Sequence, residues 1–207
     1  MAKSSKTEPT TLGAYFNHTA RELARKKLAY GHGTTNAHDE AAFMVLEALG
    51  LPIDRLDPYR QLTLSAAERR KLDDLVKKRI EQRLPAPYLM GAAYMHGIRF
   101  RSDKRALIPR SFIGDFLATG ILPLEDPAGV RTILDLCTGS GCLAILAALA
   151  FPQAAVDATD LSAEALALAR DNVAEHRLKE RITLHRGDLF QPRSEEHTSE
   201  LQSRFGI

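Results

Sequence analysis

The feature that most constrains the fold is the segment from Thr132 to Gly141, which reads T-I-L-D-L-C-T-G-S-G. It begins with β-branched and apolar residues that are typical of a buried parallel strand, and the acid Asp135 stands near the end of that strand. Gly139 and Gly141 follow, and a residue without a Cβ lets the backbone come close to a ligand. The almost wholly apolar run from Cys142 to Phe151 predicts a helix packed on a sheet. The segment therefore predicts a strand, a ligand-binding loop and a helix of an α/β fold.

Two further predicted strands end in acids in the same way. The strand at 154–159 is followed by Asp160, and the strand at 181–186 is followed by Gly187 and Asp188. The carboxyl ends of parallel strands meet at one edge of a sheet, where ligands of α/β proteins bind. We therefore expect Asp135 and the two later aspartates to form a row at that edge. Each aspartate taken alone could equally be a turn or helix-capping residue.

The position of the first acid separates two classes of cofactor. Gly139, Gly141 and Ala144 satisfy the G-x-G-x-x-G/A pattern of dinucleotide sites, in which backbone N–H groups bind an anionic pyrophosphate. Asp135 would repel that pyrophosphate, but it would attract the cationic sulfonium and ammonium groups of S-adenosylmethionine. Asp160 could accept from the ribose hydroxyls in either class, and Asp188 from the adenine amino group. The residues therefore favour S-adenosylmethionine over a nicotinamide or flavin cofactor.

The motif D-L-C-T-G-S-G-C, from Asp135 to Cys142, resembles the glycine motif of class I methyltransferases, and in particular of the protein-glutamine methyltransferases. The I-P-R-S element at 108–111 is similar to one that precedes the catalytic domain in that family. Ser111 and the segment from Tyr30 to Glu40 resemble the branch that acts on protein three of the large ribosomal subunit, whereas the release-factor branch usually continues with proline and an acid. Cys137 stands where many methyltransferases have glycine, and the ribosomal branch tolerates it. The resemblance covers about residues 12–192.

The resemblance implies an α/β protein in which an N-terminal helical domain precedes the first half of a Rossmann-like class I methyltransferase sheet. The implied domains are a helical substrate-recognition domain at 1–87, a hairpin and linker at 88–111, and a partial cofactor domain at 112–192. The implied cofactor is S-adenosylmethionine, and the implied partner is a large-subunit ribosomal protein as substrate. Contact with a ribosome-assembly intermediate is a separate hypothesis, which rests on the basic helix at 65–83. The predicted cofactor-binding residues are Asp135, Cys137, Thr138, Gly139, Ser140, Gly141, Asp160, Leu161, Asp188 and Leu189.

The N-P-P-Y motif, which in the family holds the substrate amide nitrogen, is absent from these 207 residues. Where the family continues with a fourth strand, the segment beginning R-S-E-E-H-T-S-E-L-Q-S is polar and has no strand pattern. That segment resembles the translation of a sequencing adapter, although charged disordered termini are common in proteins. We therefore expect residues 193–207 to be non-native and the chain to be an inactive fragment, and we assign no catalytic residue.

Three functions stay open on the residues alone. The chain could represent a glutamine methyltransferase of the ribosomal or release-factor branch, a methyltransferase of another substrate class, or a non-catalytic module that binds S-adenosylmethionine. The residues after Asp188 in the intact gene discriminate these functions, because N-P-P-Y would favour the first and a different fourth-strand motif the second. The absence of any polar motif there would favour the third.

Ahead of the cofactor domain, helical periodicity predicts helices at 11–28, 36–49 and 65–83, followed by a hairpin with strands at 93–96 and 98–101. Ser65 and Glu68 form a capping box at the start of the third helix. The simplest interpretation of its basic face is exposure to solvent, and the alternative is contact with ribosomal RNA or an assembly partner. The basic residues of that face are Arg69, Arg70, Lys71, Lys77, Lys78, Arg79 and Arg83.

Composition limits the other classes of function. With 44% apolar and 26% charged residues the chain can bury a core, and a net charge of +2 gives no strong case for nucleic acid binding. The N-terminal residues lack the apolar core of a signal peptide, and the longest apolar run is half the ~20 residues that a membrane span needs. Cys137 and Cys142 have no zinc-site or disulfide-framework spacing. We therefore expect a cytoplasmic protein with neither membrane attachment nor a metal.

Overall fold

The computed structural model describes residues 10–31, 33–120 and 126–189. The tail at 193–207, which the sequence predicts to be non-native, lies outside these ranges. The chain divides into two compact units, one ending at Ala92 and the other beginning at Ala93. Helices form the first unit, and a hairpin, helices and a parallel sheet form the second.

In its described residues the first unit contains four α-helices, of which the three longest begin at capped residues. The side chains of Thr11, Asn36 and Ser65 each accept a hydrogen bond from a backbone N–H in the first helical turn. The predicted capping box of Ser65 and Glu68 is confirmed, with both of its hydrogen bonds present. The three predicted helices are thus found, with ends shifted by a few residues. Their bounds are α1 (Leu12–Arg25), α2 (Ala37–Ala48), α3 (Ala66–Gln82) and α4 (Ala86–Met90).

The predicted basic face of α3 is wrong at one residue. Arg79 is only 2% exposed, and its Nε donates to Glu40 Oε1 on α2 over 2.7 Å. Its Nη2 donates to Glu40 Oε2 at 3.3 Å and to the Ala29 carbonyl at 2.9 Å. Arg79 lies seven residues after the buried Leu72, so helical spacing places it on the apolar stripe. The hypothesis of RNA contact therefore concerns only the other basic residues of α3, which are exposed or half-buried.

Within the described residues of the second unit, the predicted hairpin comes first and three parallel strands come last. Between them, Ser111 of the I-P-R-S element caps a helix, its Oγ accepting from Ile113 N at 3.1 Å. No helix in the described ranges is long and apolar enough to cross a membrane. The elements are β1 (Ala92–Met95), β2 (Ile98–Arg101), α5 (Phe112–Thr119), β3 (Thr132–Leu136), α6 (Cys142–Ala150), β4 (Ala155–Asp160), α7 (Ala163–Glu175) and β5 (Ile182–Arg186).

The sheet has the order β3-β4-β5, and all of its strands are parallel. Apolar side chains from one of its faces, including Ile133, Val156 and Ile182, pack against Ile145 of α6 and Val173 of α7. Both crossover helices thus cover the same face, as in one half of a doubly wound fold. The predicted Rossmann-like α/β class is confirmed. The carboxyl ends of all three strands meet at one edge.

Candidate functional site

The glycine loop joins β3 to α6 and is folded back onto the end of β4. Thr138 N donates to the Thr159 carbonyl at 2.9 Å, and Gly139 N donates to Asp160 Oδ2 at 2.8 Å. Thr138 Oγ1 donates to Asp135 Oδ2 at 2.6 Å. Gly141 N donates to the Thr138 carbonyl at 2.9 Å. Hydrogen bonds within the loop and to the end of β4 therefore involve five of the ten predicted site residues: Asp135, Thr138, Gly139, Gly141 and Asp160.

The carboxylate of Asp135 occupies the N-terminus of α6. Its Oδ2 accepts from Ala144 N in the first turn of that helix at 3.1 Å, in addition to the bond from Thr138. Burial raises the pKa of Asp135, against the two hydrogen bonds, which lower it, and the nearby Asp160 adds to the rise. A pyrophosphate bound in the manner of dinucleotide folds would need this helix end, where the structure places a carboxylate instead.

Asp160 connects the loops that follow the three strands. While its Oδ2 accepts from Gly139, its Oδ1 accepts from Ser162 N at the start of α7 at 2.9 Å. Its backbone carbonyl accepts from Gly187 N, after β5, at 3.1 Å. The half-buried carboxylate thus has a structural role, because it accepts from the backbone N–H of Ser162, the N-cap residue of α7. Each of its oxygens keeps a further lone pair for a ligand.

Four other predicted residues are exposed at or beside this edge of the sheet. Cys137, in a left-handed conformation with φ of 58°, follows β3, and Leu161 follows β4 with 66% exposure. Asp188 is exposed after β5, and Leu189 beside it is 48% exposed. Exposed leucines next to carboxylates would offer apolar contacts to a ligand that is both flat and polar.

The glycine loop has one open position, at Gly139, whereas Ser140 and Gly141 are buried. A Cβ on Gly139 would meet nothing within 4 Å, whereas one on Gly141 would come within 3.1 Å of the Ala169 Cβ on α7. Only Gly139 therefore leaves open space for a ligand, and the glycine at 141 permits the close approach of α7. Ser140 is 4% exposed, and its Oγ lies 3.2 Å from the Sγ of Cys142.

The two cysteines differ in accessibility. Both are free thiols, Cys137 exposed and Cys142 buried, and burial raises the pKa of Cys142 to about 12. The nucleophile that attacks a thiol reagent is an accessible thiolate, so the exposed Cys137 should be the more reactive of the two. Over the described ranges, no group of three or more histidine, cysteine or acidic side chains could hold a metal ion.

Asn172 on α7 is not among the residues predicted from the sequence. It is fully buried and donates to the carbonyl of Ser140 in the glycine loop at 2.9 Å. A signal was present, because an amide at 172 falls on the same helical stripe as Ala165 and Ala169. Its partners lie far away along the chain, so the sequence alone does not reveal them.

The family comparison places a known domain over this site. Residues 120–200 match the methyltransferase small domain family. The ribosomal protein uL3 glutamine methyltransferase of Burkholderia pseudomallei (strain K96243) is 49% identical over 190 residues, which are 90% of this chain and 62% of that protein. Its counterpart in Bordetella pertussis (strain Tohama I) is 46% identical over 192 residues, 92% of this chain and 64% of that protein. The chain therefore spans a little under two thirds of the length of these curated relatives.

Among solved structures, a precorrin-6y C5,15-methyltransferase from Geobacter metallireducens GS-15 is 22% identical and covers 45% of this chain and 46% of that one. Its TM-score of 0.35 is too low to support any conclusion about function.

Over residues 120–200, the parallel sheet with its glycine loop coincides with a match to a methyltransferase domain. More narrowly, the chain is a homologue of the uL3 glutamine methyltransferases along about nine tenths of its length. The resemblance to the ribosomal branch of the protein-glutamine methyltransferases, which the sequence motifs predicted, is thereby confirmed.

Proposed function

We propose that the edge formed by the carboxyl ends of β3, β4 and β5 binds S-adenosylmethionine, and that the protein methylates a glutamine side-chain amide of ribosomal protein uL3. The observation that carries the cofactor proposal is the pair of carboxylates, Asp135 and Asp160, that hold the glycine loop from two sides. The substrate proposal is supported by the relatives named for that activity. A ribosomal protein as substrate supports the cytoplasm as the place of action.

The described residues fit this cofactor. Two carboxylates and the exposed Asp188 make the edge acidic, which suits the sulfonium and ammonium groups of the cofactor. Asp160 accepts one backbone hydrogen bond on each oxygen and can accept two more from a ribose diol. Asp188 would accept from the adenine amino group, and Leu161 and Leu189 would contact the base. The open side of Gly139 would admit the ligand to the loop.

When bound, S-adenosylmethionine supplies a methyl group on a sulfonium. The described residues would bind and orient the cofactor. That role matters because methyl transfer depends on alignment more than on acid–base chemistry. In the family, the hydrogen bonds that polarise the substrate amide belong to N-P-P-Y, which is absent from this sequence. We therefore expect these 207 residues to bind the cofactor without transferring its methyl group.

Protection of a thiol tests the cofactor half of the proposal. S-adenosylhomocysteine, the stable demethylated product, should slow the reaction of Cys137 with an aromatic disulfide reagent by roughly tenfold or more at about 100 times its Kd. Cys142 should stay unlabelled in the native protein, because it is buried and its pKa is raised to about 12. A Cys137→Ser variant gives the background rate. Protection by NAD in place of S-adenosylhomocysteine would refute the proposed cofactor.

Methyl transfer tests the substrate half. The assay uses a longer protein, whose gene also encodes the C-terminal part found in the family. It is incubated with labelled S-adenosylmethionine and with ribosomal proteins from cells that lack the enzyme. We expect label on a glutamine of uL3, and none when the 207-residue chain replaces the longer protein. Label only on release factors would assign the other branch of the family, and label only on RNA would refute a protein substrate.

A further inference from the structure

A single buried amide connects the glycine loop to the hairpin. Asn172 is fully buried, and its Nδ2 donates to the Ser140 carbonyl at 2.9 Å and to the Arg101 carbonyl of β2 at 3.2 Å. Its Oδ1 accepts from Arg101 N at 2.7 Å. All three partners are backbone groups, so changes of side chain at 101 or 140 would not by themselves remove them.

The three contacts specify asparagine at this position. A primary amide has two N–H donors and one carbonyl, and the two carbonyls and one N–H around it use all of these groups in one orientation. Aspartate of the same size cannot donate to the carbonyls of Ser140 and Arg101. Any replacement without these donors would leave buried carbonyl groups unpaired, which is costly.

Ser140 is the middle residue of three that are held from different directions. On one side, Gly139 N donates to the carboxylate of Asp160, and on the other, Gly141 lies against Ala169 of α7. The amide of Asn172 holds the residue between them. The path of the loop past Gly139, where a ligand has room, therefore depends on where Asn172 holds the Ser140 carbonyl.

The hairpin gives this amide a fixed support. Glu175, one turn after Asn172 on α7, accepts from Arg99 at 3.2 Å and from Arg101 at 2.6 Å. The ring of His176 hydrogen-bonds the Arg99 carbonyl at 2.9 Å. β2 is thus attached to α7 at several points, and Asn172 extends that attachment to the glycine loop.

We propose that Asn172 is a positioning residue that fixes the glycine loop in the conformation that receives the cofactor. This inference rests on the proposed function, because it takes the loop to be the binding site for S-adenosylmethionine. Asn172 itself would act through the backbone of Ser140, without contact with the ligand.

The test compares Asn172→Asp and Asn172→Ser with a control that destabilises the same unit elsewhere. Asn172→Asp keeps the acceptor for Arg101 N and removes the donors, and the smaller serine leaves room for a water. The control is Arg181→Met, since Arg181 donates to the carbonyls of Ala148, Phe151 and Ala154 at the amino end of the sheet. The readouts are the Tm, the Kd for S-adenosylhomocysteine, and the labelling rate of Cys137 without ligand.

We expect both Asn172 variants to weaken S-adenosylhomocysteine binding by roughly tenfold to a hundredfold and to change the labelling rate of Cys137. Arg181→Met should lower the Tm while leaving both readouts unchanged at temperatures where the protein is folded. Wild-type affinity and labelling in the folded Asn172 variants would overturn the inference, as would an equal loss of affinity in Arg181→Met. If the wild-type chain binds no S-adenosylhomocysteine, the proposed function fails, and the labelling rates still decide whether Asn172 holds the loop.

Discussion

Replacing Arg79 with methionine is expected to destabilise the N-terminal helical unit by about 3–5 kcal/mol. The change would leave the carboxylate of Glu40, 3% exposed, buried without its bidentate partner. It would also leave the Ala29 carbonyl without the Nη2 donor. A loss of this size approaches the whole stability of a small domain, so the unit should be largely unfolded in mild urea. Urea titration followed by far-ultraviolet circular dichroism measures it.

Two controls separate the buried pair from general effects of removing a charge. Lys78→Met removes an exposed pair on the same helix, with Asp74 at 2.6 Å, and should change the free energy of unfolding by less than about 0.5 kcal/mol. The double variant Glu40→Leu with Arg79→Met should recover most of the loss, because no unpaired charge then stays buried. If Arg79→Met cost no more than Lys78→Met, the pair would not be what joins α2 to α3.

Arg79 also shows where sequence reasoning on the helical unit succeeds and where it fails. The caps at Asn36 and Ser65 were predictable, since a cap is an interaction within four residues of chain. Counting the basic residues of α3 as one face ignored the spacing from Leu72 to Arg79, which is two helical turns. The spacing could have predicted burial of Arg79, but its partner Glu40 is 39 residues away, and only the packing of α2 on α3 reveals it.

At the candidate site, too, features of a short segment were predictable, whereas contacts between distant segments were not. The row of aspartates was predictable, because each follows a strand and parallel strands share an edge. The contacts that each residue of this edge makes were not predictable, because they depend on which element packs against the loop. Asp135 caps α6 through Ala144, and Gly141 makes room for Ala169. Asn172 contacts the glycine loop only because α7 packs between β2 and α6, the helix that joins β3 to β4. A local sequence pattern does not encode this tertiary arrangement.

Asp160→Ala is expected to weaken the binding of S-adenosylhomocysteine by about 1.5–3 kcal/mol, roughly tenfold to somewhat over a hundredfold. In the proposed complex the carboxylate accepts both ribose hydroxyls through charge-assisted hydrogen bonds. The same substitution removes the acceptors for Gly139 N and Ser162 N, so the loop and the start of α7 lose their common anchor. Calorimetry gives the affinity, and a parallel thermal melt gives the cost to the fold.

Two matched variants separate the loss of affinity from the loss of stability. Asp160→Asn keeps one side-chain carbonyl as acceptor and removes the charge, so its Tm should fall less than that of Asp160→Ala while ribose binding still weakens. Ser162→Ala removes the N-cap side chain of α7, the acceptor for Ala165 N at 3.1 Å, without changing the proposed ribose site. It should cost about 1 kcal/mol of stability and leave the affinity unchanged. Unchanged affinity in Asp160→Ala would remove Asp160 from the site and leave it with the structural duty alone, as the anchor between the glycine loop and α7.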